Sequence, residues 1–171
     1  MLSLKGLVPM RKTNGYQLVK AVEVILGNSI TGPMIQGLDL GNNASIEDTE
    51  LAQLTQSLTS LTKRGSLSNL KHLSLSSIGA SASAICNLFK ALPKITRLRS
   101  LDVSGNSIAF FCADALASSL KTIESMPKSS KRQDMESINS YSLDDIQLLK
   151  LNLSGTKIDE LSAYQLCLGI I

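Results

Sequence analysis

The chain has 171 residues, 43% of them hydrophobic but only 4% aromatic and none tryptophan, so leucine, isoleucine, valine and alanine must fill the interior, in one domain or in about five to six short stacked repeats. The net charge of +3 is too small to argue for nucleic acid, which needs a clustered basic face to displace counterions from phosphates. No apolar run approaches the ~20 residues of a membrane span, and Met1-Leu2-Ser3-Leu4-Lys5 lacks the long apolar stretch of a signal peptide.

In chain order, the first alternation is Leu2-x-Leu4, with Leu7 following. After Asn14-Gly15, residues Leu18, Val22, Ile25 and Leu26 mark one face of a helix. Ile35-x-x-Leu38-x-Leu40-x-x-Asn43, with Ile46 beyond it, predicts a short strand and a turn. Leu51, Leu54, Leu58 and Leu61 form the next helical stripe, with Asp48 the expected N-cap and Gly65 the expected stop after Lys63 and Arg64. Leu70-x-x-Leu73-x-Leu75-x-x-Ile78 is the next strand, followed by the stripe Ile85, Leu88, Phe89 and Leu92, ended by Pro93. Leu98-x-x-Leu101-x-Val103-x-x-Asn106-x-Ile108 is the best-formed copy, and Ala113, Leu116, Leu120 and Ile123 follow as a stripe ended near Pro127. The last strand is Leu148-x-x-Leu151-x-Leu153-x-x-Thr156-x-Ile158.

These copies share one template, L-x-x-L-x-L-x-x-N-x-I/L. Alternating apolar residues mark a strand whose leucines point inward while the intervening residues face out. Each strand is expected to pair with its equivalent in the next copy, giving a parallel sheet. Asn43 and Asn106 are expected to bond free backbone groups at the turn, in a ladder that Leu7, Ile78 and Thr156 interrupt. Successive copies lie 36, 35 and 28 residues apart from Leu2 to Leu38, Leu73 and Leu101, which leaves room for a full helix between strands.

Strand, loop and helix in a 28-residue period resemble the ribonuclease-inhibitor-like subfamily of leucine-rich repeats. The resemblance implies an α/β solenoid, a horseshoe with a concave parallel β-sheet and convex helices, spanning residues 1–171. It also implies relatives of several kinds: ribonuclease inhibitor, the sensor regions of NOD-like receptors, Ran GTPase-activating protein, actin-regulating linkers and tonsoku-type genome-maintenance scaffolds. The motifs specify the architecture and do not choose among these. The chain opens on a partial strand and closes in LSAYQLCLGII, without the polar terminal cap that solenoids need. Further repeats of the same chain are therefore expected at one or both ends.

The spacing from Leu101 to Leu151 is 50 residues, about 22 more than the period. The surplus falls at 126–145, a polar, serine-rich stretch that reads as a flexible insertion loop. Its Lys128, Lys131 and Arg132 are offset by Asp134, Glu136, Asp144 and Asp145, and Ser129 and Ser130 are candidates for phosphorylation.

No catalytic constellation emerges, so no enzyme is expected. His72 is the one histidine, without the GxSxG elbow or oxyanion hole that a nucleophilic triad requires. Cys86, Cys112 and Cys167 are dispersed, which predicts reduced, buried thiols in an intracellular protein, cytoplasmic or nuclear. They form no metal-ligand set with one histidine, and Gly41-Asn42-Asn43 and Gly105-Asn106 are turns rather than nucleotide loops, so neither metal nor cofactor is expected.

What remains is a surface. Asp39, Asn42, His72, Ser74, Ser100, Asp102, Lys150 and Asn152 occupy outward strand and turn positions and form the expected partner-binding concave face, small, polar and of mixed sign. The leading reading is a protein-protein interaction module of a larger intracellular scaffold or receptor, with no nucleic acid and no membrane as partner. Two alternatives stay open. One is a GTPase-activating regulator of the Ran type, for which Arg97 or Arg99 is the nearest arginine finger. The other is a structural spacer without a partner of its own.

Overall fold

The structure, a computed structural model, describes residues 1–6, 12–64, 69–95, 97–125, 148, 150–156, 158 and 160–170. Short strands alternate with helices: β1 (Leu2–Ser3), α1 (Lys12–Gly27), β2 (Gly37–Asp39), α2 (Asp48–Lys63), β3 (His72–Ser74), α3 (Ala82–Ala91), β4 (Ser100–Asp102), α4 (Phe110–Ser125), β5 (Lys150–Asn152) and α5 (Glu160–Ile170). The protein is α/β, with one sheet of five parallel strands in sequence order, β1 to β5. Leu2, Leu38, Leu73, Leu101 and Leu151 stand side by side in register. The register ignores the unequal spacing of the copies, because each strand aligns its apolar face with its neighbour's and the surplus falls outside the strands, as in α1 and α2, 16 residues each against 10 in α3.

Burial alternates along β3 and β4, while in β2 Gly37 is buried together with Leu38. Leu38, Leu73 and Leu101 are enclosed, and the residues on either side of Leu73 and Leu101 are exposed or half-buried. One face of the sheet therefore packs on the helices. From the helices come Leu18, Val22, Leu26, Leu51, Leu54, Leu58, Ile85, Leu88, Phe89, Ala113 and Leu116, all buried in one core. The predicted stripes thus face inward, with Val19 added and with Ile25, Leu61, Leu120 and Ile123 half-buried at the margins. Among the described residues, each helix packs on the helix before and after it in the chain.

The strand exits repeat one bond. The residue four places after the central leucine has a left-handed backbone in every unit: Gly6, Asn42, Ser77, Gly105 and Gly155, with φ between 50° and 70°. That conformation turns the N–H towards the following unit. Gly6, Asn42, Ser77 and Gly105 each donate to the carbonyl of Gly41, Ser76, Ser104 and Ser154 respectively, at 2.7–2.9 Å. Glycine and asparagine suit this conformation; Ser77 is the departure.

The next position carries the expected asparagines, and both are enclosed. The Asn43 side-chain amide donates to the carbonyls of Leu4, 2.9 Å away in the preceding unit, and of Leu40, 2.8 Å away in its own. The Asn106 amide donates in the same way to Leu75 and Val103, and its oxygen accepts the Ile78 N–H at 3.0 Å. Ile78 breaks the asparagine ladder but loses no bond, since Asn106 reaches back to its N–H. Thr156 turns its hydroxyl to its own Leu153 carbonyl. Leu7 lies outside the described residues, as do Gly65, Pro127 and the whole of 126–145.

Two helix boundaries differ from expectation. The N-cap of α2 is Glu47, whose N–H is accepted by the Glu50 carboxylate at 3.2 Å, a capping-box bond. Asp48 instead caps its neighbour, accepting the Ser81 N–H at 2.6 Å and the Ser81 hydroxyl at 2.7 Å where α3 begins. Helix α3 ends at Ala91, and Pro93 sits in a 3-10 turn, Leu92–Lys94, that carries the chain towards β4.

Candidate interaction surface

The face of the sheet turned away from the helices is built from two registered rows. Gly37, His72, Ser100 and Lys150 are aligned in one, and Ser3, Asp39, Ser74, Asp102 and Asn152 in the other. Neighbours in a row are about 4.8 Å apart, the spacing of paired strands. All eight residues read from the sequence as a binding face are brought to this side or to its rim. His72, Lys150, Asn152 and Asn42 are exposed, and Asp39, Ser74, Ser100 and Asp102 are half-buried.

Side-chain roles are less uniform than position. An Asp39 carboxylate oxygen accepts the Gly41 N–H at 3.0 Å, Asp102 does the same for Ser104 at 2.9 Å, and the Asn152 side-chain oxygen accepts from the Ser154 N–H at 3.1 Å. These residues therefore hold the strand exits in their turns, in the manner of Asx-turns, as well as facing out. The pattern is an aspartate or asparagine two residues before a glycine or serine, Asp39–Gly41, Asp102–Ser104 and Asn152–Ser154, and it could have been read beforehand.

The row of His72 contains no carboxylate. Gly37 and Ser100 flank it in register, while Asp39 and Asp102 stand diagonally, about 7–8 Å away by strand geometry, with one oxygen each committed to a turn. That is no orienting contact for a histidine base. Among the described residues, no group of three or more His, Cys, Asp or Glu side chains could hold a metal ion. No described helix is long and apolar enough to cross a membrane.

Cys86 and Cys112 are buried on adjacent helices. The Cys112 thiol lies 3.0 Å from the Ala82 carbonyl and the Cys86 thiol 3.7 Å from that of Phe111. Burial pushes the Cys112 thiol above its ordinary range, which suppresses thiolate chemistry. Cys167 is exposed on α5, where the sequence led us to expect a buried thiol. Arg97 is exposed and Arg99 half-buried, at the end of the sheet where strands begin. A groove of about 310 Å³ runs between α2 and α3 on the opposite side of the molecule, lined by small and polar residues such as Ala52, Gln56, Asn87 and Ala91.

No protein-family model matches the chain, and no curated protein matches it.

Proposed function

We propose that the chain is a leucine-rich repeat solenoid of the ribonuclease-inhibitor-like kind and serves as a protein-interaction module inside the cell, binding its partner on the open strand face. One observation carries the functional part: five parallel strands in register present an uncovered, polar face. Parallel sheets usually bury both faces under helices, and their strands then read as continuous apolar runs. Here the burial alternates, so one face is left to meet something else. The solenoid reading is supported by the sequential strand order, by helices that pack on their chain neighbours, and by the left-handed residue that bonds each strand exit to the next. Such stacking of equivalent units is the rule in repeat proteins.

The face is small-featured. Ser74 and Ser100 let a partner's backbone come close, whereas Gly37 is buried beside the Met1 and His72 side chains, and Asp39, His72, Asp102 and Lys150 give the face a mixed charge pattern. Its lack of Trp and Tyr anchors fits a broad, shallow contact better than a deep pocket.

The test is site-specific photocrosslinking in cells. A photoreactive residue at Ser74 or Ser100 is expected to trap a discrete partner, and one at Ala52, exposed on the helix side, to trap none. Equal trapping from Ala52, or trapping from Ala52 alone, would overturn the reading.

A further inference from the structure

Two of the three cysteines meet across units. Cys86 lies midway along α3 and Cys112 in the first turn of α4, and both are buried. Each thiol reaches the backbone of the helix that carries the other. The Cys112 thiol donates to the Ala82 carbonyl at 3.0 Å and the Cys86 thiol to the Phe111 carbonyl at 3.7 Å. Ala82 stands four residues before Cys86, the place whose carbonyl accepts the Cys86 N–H in an α-helix, and Phe111 is joined directly to Cys112. The Cys86 N–H and thiol are both within hydrogen-bonding reach of the Cys112 sulfur.

Among the described residues no third His, Cys, Asp or Glu joins the pair to make a metal-binding group, and two thiols are half of a structural zinc set. Cys112 is also a poor nucleophile, since burial foremost, and the Cys86 thiol after it, push its thiol up. What two sulfurs placed in this way can do is bond to each other. A disulfide requires backbones that approach closely, and here each sulfur already touches the backbone on the far side.

We propose that Cys86 and Cys112 form a thiol pair that a peroxide oxidises to a disulfide, joining α3 to α4. The Cys86 sulfur, 3% exposed against 0% for Cys112, meets the oxidant first. As thiolate it attacks one peroxide oxygen. A sulfur–oxygen bond forms, the oxygen–oxygen bond breaks, and the departing hydroxide becomes water with the proton that Cys86 gave up. The Cys112 sulfur then attacks the Cys86 sulfenic acid. The sulfur–sulfur bond forms, the sulfur–oxygen bond breaks, and the second hydroxide takes the Cys112 proton. Two thiols and one hydrogen peroxide thus become one disulfide and two waters, the sulfurs supplying the two electrons that the peroxide gains. Enclosure keeps bulky oxidants away, whereas a peroxide, little larger than water, needs only a brief local opening. The bond ties positions 26 residues apart in the chain and constrains the separation of the two helices. It lies on the helix side of the sheet and does not rest on the binding reading of the open face.

The experiment treats the reduced full chain with hydrogen peroxide, alkylates the remaining thiols in urea and maps the digest by mass spectrometry. A peptide linking Cys86 to Cys112 is expected, and it should form equally in Cys167→Ser, which lacks the exposed thiol of α5. The thermal midpoint of the oxidised chain should lie about 5 °C or more above that of the reduced chain and return on reduction with dithiothreitol. Cys112→Ser should yield no linked peptide. Serine suits that place, since buried Ser162 holds the corresponding one in the last unit, each eleven residues after its central leucine, Leu101 or Leu151. Cys86→Ala, a second variant, should show neither the linked peptide nor the shift. The proposal fails if Cys86 and Cys112 both remain open to alkylation after the peroxide has oxidised Cys167, if either is found bonded to Cys167, or if peroxide raises the midpoint of Cys86→Ala as it does that of the parent chain.

Discussion

A buried asparagine contributes by what its removal leaves behind. Asn106 satisfies two carbonyls and one N–H from two successive units. Asn106→Ala is expected to cost about 2–4 kcal/mol, since three backbone groups then lose their partners in a dry site. Urea denaturation measures this, and a loss below about 1 kcal/mol would mean that water takes over the bonds. Ser77 presents the opposite case. It holds the left-handed position that glycine holds in three other units, with φ of 50°, and a side chain there is strained. Ser77→Gly should stabilise the protein by about 0.5–1 kcal/mol, the strain relieved exceeding the extra freedom of the unfolded chain. An unchanged or lower denaturation midpoint would refute it. Both roles were visible in the template. That Asn106 would serve the unit lacking an asparagine was not, since it depends on which unit stacks beside it.

Helices were legible from their apolar stripes, whereas the polar bonds between them were not. Glu23 on α1 accepts from Gln53 at 3.0 Å and from Ser57, both on α2, and pairs with Lys20 at 2.8 Å. Burial pushes its carboxyl up, but the bonds from Lys20, Ser57 and Gln53 outweigh that and hold it below the ordinary glutamate value. A carboxyl depressed in the folded state adds stability above its unfolded value, about 4.3, and the gain disappears as pH falls through the lower folded value. Glu23→Gln should therefore lower stability at pH 7 and flatten its dependence on pH below about 4.3. Parallel stability–pH curves for the two proteins would rule this role out. Sequence could not foresee the link, because Glu23 and Ser57 are 34 residues apart and nothing in either helix's own period pairs them. The displaced cap has the same origin: Asp48 looked like the N-cap of its own helix, and the neighbouring unit's Ser81 claimed its carboxylate.

At the scale of the whole molecule, order should follow depth in the stack. Leu73 and Leu101 are almost fully enclosed between two neighbouring units, but Leu2 and Leu151, on the outer strands, are half-buried. The Leu75 amide, bonded to the Asp102 carbonyl at 2.7 Å, is therefore expected to exchange with solvent more slowly than the Leu4 amide, bonded to Asp39 at 2.8 Å. The two bonds are equally short, so any difference reports local opening and not bond length. Hydrogen exchange read by NMR tests this, and equal protection would argue for a single cooperative block.

By itself the sequence determined the alternation of strand and helix, the inward leucines and the residues on the open face, because side-chain period and hydrophobic burial are local properties of the chain. Tertiary structure decided what depends on distance across units. Parallel register put His72, Ser100 and Lys150 on adjacent rungs, although 78 residues separate the first from the last. It also placed Gly15 of α1 so close over the Ser45 carbonyl that any side chain there would collide with backbone. A net charge of +3 says nothing of where charges stand; opposite charges cancel in a sum, whereas along α2 Asp48 and Glu50 lie in the first turn and Lys63 in the last.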